Sequence, residues 1–334
     1  MRRFRARILP LSVLFTLVVS ACGGSAAATP AAGTAAVATV APTTAPGALR
    51  IGVLPITDTV PFYVAQELGY FKDEGIRVEL VPVTSAAERD QLTITGQIDG
   101  QVSDLVSTAL FNAEEPRLRI VRKARQATAE SAQFWILAPK GSDIESVEDL
   151  AGVEIAVSQN SVIQYVTERL LQLEGVPTDQ IRTVNVPQIP LRLQLLEQGQ
   201  VKAATLPDPL ASLAILEGAK SIIDDSSHPE ISQSVITFRT SIVSERPEDV
   251  RAFLAAYERA LDDIANRPEE FRNLLIDKGR VPQPLRDKYT FPPYPGSEVP
   301  SQQQWQDVVD WAMAKGLLKQ PVAYEDAVDA TFVQ

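Results

Sequence analysis

Two successive series of alternating strand and helix signals constrain this chain more than any other feature. L-R-I-G-V-L puts Leu49, Ile51 and Val53 on one face of a strand. Helical spacing is expected from Pro61 to Tyr70, a strand from Val78 to Val83, a helix from Ala86 to Thr95 and a short strand from Ile98 to Val102. This is the βαβ rhythm of a parallel sheet. A second series starts at Trp135. Ser146-Val147-Glu148-Asp149 has capping-box spacing, and a strand at Val153 to Val157 leads into a helix from Val162 to Glu174 closed by Gly175. A strand at Thr183 to Val186, a helix at Leu191 to Gln198, a strand at Ala203 to Leu206 and a helix at Pro209 to Glu217 complete it. The stretch S-V-I-T-F-R-T-S-I-V-S, Ser234 to Ser244, reads as β-rich, and amphipathic helices are expected at Pro247 to Ala265 and Ser301 to Lys315. Length and 45% hydrophobic content allow two α/β lobes, each with its own core.

The front of the chain has a different character. Arg2, Arg3, Arg5 and Arg7 precede an apolar run from Ile8 to Val19, the layout of a secretory signal peptide over residues 1–21. The run falls short of the roughly 20 apolar residues that a membrane span needs. Val19-Ser20-Ala21-Cys22 resembles a bacterial lipobox, which implies cleavage before Cys22, the only cysteine in 334 residues, and its lipidation. Several acyl chains on one cysteine give durable attachment, so the expected location is the extracytoplasmic face of the cell membrane, through a lipid anchor. Residues 22–48 then form a tether of Ala, Thr, Pro, Gly, Ser and Val without charge or periodicity.

Loss of the four leader arginines moves the net charge from −11 to −15, which excludes an electrostatic binder of nucleic acid. One cysteine excludes an intramolecular disulfide. No phosphate loop, serine elbow or metal cluster is present, and no cofactor is expected.

P-F-Y-V-A-Q-E-L-G-Y-F-K-D-E-G-I-R-V-E-L, Pro61 to Leu80, resembles the opening unit of solute-binding proteins of the nitrate, sulfonate, taurine and thiamine-precursor group. Gly96 to Asp104, Ile144 to Val157 and Arg246 to Ala260 match in order and spacing. The resemblance implies a two-lobed α/β periplasmic-binding-protein (Venus-flytrap) fold, with lobe two, residues 135–236, inserted into lobe one, residues 49–134 plus 237–334. It implies a monomeric receptor that delivers a small-molecule solute to an ABC permease and its ATPase. An enzyme is the rival class, because some thiamine-pyrimidine synthases share the fold; those carry a cysteine-rich motif and an active-site histidine. Here the one histidine, His228, sits in a polar stretch with a surface position expected.

In such sheets ligands bind beyond the carboxyl ends of strands. Those positions are Thr57, Asp58 and Thr59, then Ser103 and Asp104, then Gln159, Asn160 and Ser161, and finally Asp208. Thr59, Ser103 and Ser161, and likewise Asp58, Asp104 and Asp208, could equally be ordinary helix caps. Phe62, Tyr63, Trp135 and Tyr165 are the aromatic candidates, with Tyr63 and Trp135 first. Asp224-Asp225 reads as a solvated acid pair. Three acids and no arginine or lysine in these loops point to a neutral, hydrogen-bonding aromatic solute. Similarity to riboflavin-binding lipoproteins makes riboflavin the first choice, with a thiamine pyrimidine precursor, or sulfonate, taurine or nitrate, as alternatives.

Overall fold

The computed structural model describes residues 47–333, so the leader, Cys22 and the tether up to residue 46 lie outside the described residues. The chain runs through β1 (Leu49–Val53), α1 (Val60–Glu67), α2 (Tyr70–Asp73), β2 (Val78–Pro82), α3 (Ala86–Ile94), β3 (Gly100–Asp104), α4 (Leu105–Phe111) and β4 (Leu118–Gln126). It then crosses to β5 (Phe134–Ala138), β6 (Glu154–Val157), α5 (Val162–Leu173), β7 (Arg182–Asn185), α6 (Ile189–Glu197), β8 (Ala203–Pro207), α7 (Leu210–Leu216) and β9 (Lys220–Asp224). It returns through β10 (Gln233–Arg239), α8 (Thr240–Glu245), α9 (Pro247–Asn266) and α10 (Arg272–Lys278), and ends with α11 (Gln302–Ala314) and α12 (Tyr324–Ala327).

Two five-stranded sheets result, in the orders β2-β1-β3-β10-β4 and β7-β6-β8-β5-β9. In each, three parallel strands are joined by an antiparallel one, β10 against β3 and β4, β5 against β8 and β9. β10 completes the first sheet, lobe one, only after the five strands of the second sheet, lobe two, have been made. Two connections, 127–133 and 225–232, join them.

Local chemistry explains where the elements stop. α1 ends where Gly69 takes a φ of 77°, and Gly75 takes the same φ after α2, so the G-x-x-x-x-x-G spacing marks two left-handed turns that a side chain would strain. The expected single helix to Tyr70 is therefore two. The Ser146 signature leads only to a short 3-10 turn at Glu148–Leu150, which begins at Val147 without a side-chain cap; Asp149 instead accepts from the Glu145 and Ser146 amides at 3.0 Å each. The second half of the β-rich stretch is helical instead. From Thr240 the chain forms α8, with Ile242 buried and the Ser244 hydroxyl donating to the Thr240 carbonyl at 2.8 Å. β4 and β9 are strands without an expected counterpart.

Lobe one packs α1 and α9 on its sheet around Phe62, Phe71, Phe238, Phe253 and Tyr257, with ring centroids 5.2–5.4 Å apart. α11 belongs to neither lobe alone. Its Trp305, Val308 and Trp311 share one buried cluster with α4 of lobe one and α5 of lobe two. Trp311 Nε1 donates to Glu168 at 2.8 Å and Asp307 accepts from Tyr165 and Arg169. No helix among the described residues is long and apolar enough to cross a membrane.

Candidate functional site between the lobes

Several buried polar groups lie at the carboxyl ends of β1 and β4 and on the two connections. After β1 the chain makes a 3-10 turn at Thr57–Thr59, all three residues buried. β4 runs alongside through β10, so its last residues reach the same edge. Arg125, 4% exposed, donates from Nη1 to Thr57 Oγ1 at 3.0 Å and from Nη2 to the Ala132 carbonyl at 3.0 Å. Asp58 Oδ1 lies 3.6 Å from the same Nη1, and Thr57 Oγ1 donates to it at 3.2 Å. Burial works against the Arg125 charge, but Asp58, then Tyr289 and Asp208, outweigh it and raise its pKa.

The irregular strap 281–300 supplies the rest. It carries Tyr289, Phe291 and Tyr294 against the lobe-one core. Tyr294 OH donates to the Thr57 carbonyl at 3.0 Å. Tyr289 OH reaches across to lobe two and donates to Asp208 Oδ2, while Ser212 donates to Asp208 Oδ1. Burial, then the Asp208 charge, pushes the Tyr289 phenol well above its ordinary range, so it stays a donor. β4 holds the strap in place: Arg122 Nη2 donates to the Pro295 carbonyl at 3.0 Å and the Lys123 amide to the Glu298 carbonyl at 2.7 Å.

At the connections, Asp225 accepts from the Gln133 and Phe134 amides at 2.7 and 3.1 Å. It is fully buried rather than solvated, and burial raises its pKa. The reason is its position: the acid ties one connection to the other.

Hydrogen bonds and charge link Thr57, Asp58 and Asp208 of the expected residues to Arg125, Tyr289 and Tyr294, and the others make contacts of their own. Thr59 uses its hydroxyl on the Leu54 and Ile56 carbonyls at 2.7 and 3.0 Å. Ser103 is buried at the end of β3, and Asp104 caps α4 by accepting from the Ser107 amide at 2.8 Å. Gln159 and Asn160 are exposed on the loop after β6, and Ser161 caps α5 through the Ile163 amide at 3.2 Å. Phe62 is fully buried in the lobe-one core, and Tyr165 is committed to Trp311 and Asp307, so neither faces the cleft as a platform. Tyr63 lies under Lys278, whose Nζ is 5.1 Å from its ring centroid, and Trp135 packs with the α6 and α7 side of lobe two. His228 bonds to Glu174 at 2.8 Å.

Arg125, Tyr289 and Tyr294 went unread. The expectation of a site without cationic side chains is thereby corrected: one guanidinium is present, with an acid beside it. The P-P-Y-P aromatic run was the available signal for the tyrosines. A cavity of about 590 Å³ lies behind the strap, between it, α9 and α10, outside the cleft.

Residues 56–271 match the NMT1/THI5-like family, well over half of the chain. The chain belongs to that family. A formylaminopyrimidine-binding protein of Halalkalibacterium halodurans is 25% identical over 79% of this chain and 84% of its own length. The riboflavin-binding protein RibY of Chloroflexus aurantiacus is 23% identical over 98% of each. The periplasmic aliphatic sulphonate binding protein SsuA of Escherichia coli superposes with a TM-score of 0.72 at 20% identity, over 85% of this chain and 92% of that one. The fold is thus that of the periplasmic binding proteins. The desulfurization enzyme DSZB shares it too, with a TM-score of 0.63 over 86% of this chain and 97% of that one.

Proposed function

We propose that this NMT1/THI5-like protein is the solute receptor of an ABC importer, closing two lobes on a flat heteroaromatic solute, with riboflavin as the first candidate. The lobe from β5 to β9, residues 134–224, moves as one body against residues 49–126 and 233–333, hinged at the two connections; the boundary expected at 236 and 237 falls inside β10 and is corrected to the connection before it. The observation that carries this reading is the interlobe bond from Tyr289 to Asp208 beside the Arg125–Asp58 pair. Charges already balanced by protein leave little net field for a small anion, while tyrosine rings and carbonyl or hydroxyl partners suit an uncharged ring with hydrogen-bonding edges. A ligand shifts closure only by its extra affinity for the closed state, and a contact spanning both lobes is where that difference arises.

The full-length relative named for riboflavin supports the choice, and the one named for formylaminopyrimidine supports a smaller pyrimidine as second reading. A thermal-shift panel of riboflavin, formylaminopyrimidine, taurine and an alkanesulfonate separates them. A ligand at 100 times its Kd stabilises by about 2.7 kcal/mol. The expected result is a shift with riboflavin and none with the sulfonates; the reverse pattern refutes the vitamin. Chemical turnover of any of them would make the protein an enzyme.

The receptor is held to the membrane by lipid on Cys22, a leash that raises its effective concentration at the permease. Radioactive palmitate is expected to label the protein and not its Cys22→Ser variant. Equal labelling of both contradicts the anchor.

A further inference from the structure

A cavity of about 630 Å³ opens at the edge of lobe one opposite the turn after β1. β1, β3 and β4 begin at this edge, with Leu49, Gly100 and Leu118, and β10 ends there, Phe238 beside Gly100 and Arg239 beside Leu118. Arg117 and Arg239 both line the cavity. The Thr240 amide donates to the Arg117 carbonyl at 2.9 Å, which sets the two arginines on neighbouring chain segments.

The donors around this cavity are not used up. Arg239 Nη2 donates to Asp99 at 2.7 Å, but Arg50 shares that carboxylate at 3.1 Å, and Arg239 Nε is buried without a hydrogen-bond partner. The Thr240 hydroxyl is likewise buried and unpartnered. Arg117 gives Nε to Glu115 at 3.0 Å and keeps both Nη groups without a bond among the described residues. Three guanidiniums, of Arg50, Arg117 and Arg239, thus share two carboxylates, of Asp99 and Glu115, on a chain whose net charge is −11. Guanidinium forks beside hydroxyls match the oxygens of a phosphate. The wall of the cavity also carries Phe111 and Ile94, and Ile94 is 61% exposed.

Where the chain enters says which phosphate. The Gly47 carbonyl accepts from Arg246 Nη2 at 2.8 Å, just past the end of α8, and α8 begins at the cavity with Thr240 and Ser241. The expected tether and its lipid therefore join lobe one on the side that carries the cavity.

We propose that this cavity takes the phosphodiester of an anionic phospholipid headgroup, so that lobe one rests on the membrane by the edge where its parallel strands begin. The proposal rests on the lipid-anchor reading and adds an orientation to it. Arg117 and Arg239 hold the headgroup oxygens, Thr240 and Ser241 supply hydroxyls, and Ile94 meets the acyl boundary. Attraction of cations to an anionic surface fades within a Debye length, so the contact orients a chain that the tether has already brought close. The opposite edge, with Arg125 and Tyr289, then faces incoming solute.

The test holds residues 23–334 on vesicles through an amino-terminal hexahistidine tag and a nickel-chelating lipid. This keeps every described residue and tethers the chain independently of Cys22. No native cysteine remains, so a donor dye on Glu245→Cys reports the cavity edge and one on Glu130→Cys reports the opposite edge; both positions are exposed. On equal parts phosphatidylglycerol and phosphatidylcholine, energy transfer to a headgroup acceptor is expected to be stronger from 245 than from 130. That excess is expected to vanish in Arg117→Glu, a change at a side chain already 45% exposed, and to shrink on phosphatidylcholine alone. Equal transfer from the two positions, an excess that survives Arg117→Glu, or the same excess on phosphatidylcholine overturns the proposal. Glycerol 3-phosphate separates the two sources of phosphate. If it raises the melting temperature of the wild type and not of Arg117→Glu while the two labels transfer equally, the cavity serves a free phosphate ester and the membrane contact falls. Palmitate labelling judges Cys22 on its own, so failure of the anchor and failure of the headgroup contact give different results.

Discussion

Replacing Arg125 with methionine is expected to destabilise the protein by about 3–5 kcal/mol, the range for breaking a buried ion pair by removing one partner. Both side chains are nearly inaccessible, 5% and 9% exposed, so water does not screen the Asp58 carboxylate that remains. The same change frees Thr57 Oγ1 and the Ala132 carbonyl, and so loosens the turn after β1 and a connection between lobes. Denaturant titration measures the effect. Adding Asp58→Asn is expected to recover part of the loss, because the uncompensated charge goes with it. A single variant within about 1 kcal/mol of the wild type would show that the pair is not what holds this edge.

Tyr289→Phe removes one oxygen and leaves the ring. Its phenol is the donor that joins the strap of lobe one to Asp208 of lobe two. A hydrogen bond to a charged group contributes about 1.5–3 kcal/mol, so the closed state is expected to lose about 10- to 150-fold in relative population. Small-angle scattering should show a larger radius of gyration, and the apparent affinity for solute should fall at least about tenfold, since only the closed fraction binds fully. Unchanged dimensions and affinity would mean that the bond does not govern closure.

Much of the fold is legible in sequence because burial on one face leaves a periodic trace. Leu49, Ile51 and Val53 alternate, and Gly69 and Gly75 mark where helices must end. β4 shows why the rest is not. L-R-I-V-R-K-A-R-Q carries four cations in nine residues, which break up any apolar alternation. Yet Arg122, Lys123 and Arg125 are all buried, because Glu258, Glu298 and Asp58 come from distant elements to meet them. Pairing across 67 to 175 residues leaves no local pattern. α8 was misread for the converse reason: Thr, Ile and Val favour strands by propensity, and packing of Ile242 overrides it.

The site follows the same division. Loops after strands were legible from the general rule, and Thr57, Asp58 and Asp208 came with them. Tyr294 meets Thr57 across 237 residues, through a proline-rich strap with no periodicity to announce it. Phe62 and Tyr165 lie close in sequence to the cleft loops, but their helices turn them into the core. The burial of Asp225 has no local trace because its partners, the Gln133 and Phe134 amides, lie at the end of the other connection and the start of β5.

Titration of riboflavin with the wild-type protein, followed by flavin fluorescence, tests the central claim most directly. Stacking against the cleft tyrosines should quench the flavin in a saturable, one-to-one manner, and Tyr289→Phe should move the midpoint to higher protein concentration by about tenfold or more. Fluorescence that stays unquenched at saturating protein, or a midpoint identical in the two proteins, would contradict a receptor that closes on a flavin through Tyr289 and Asp208.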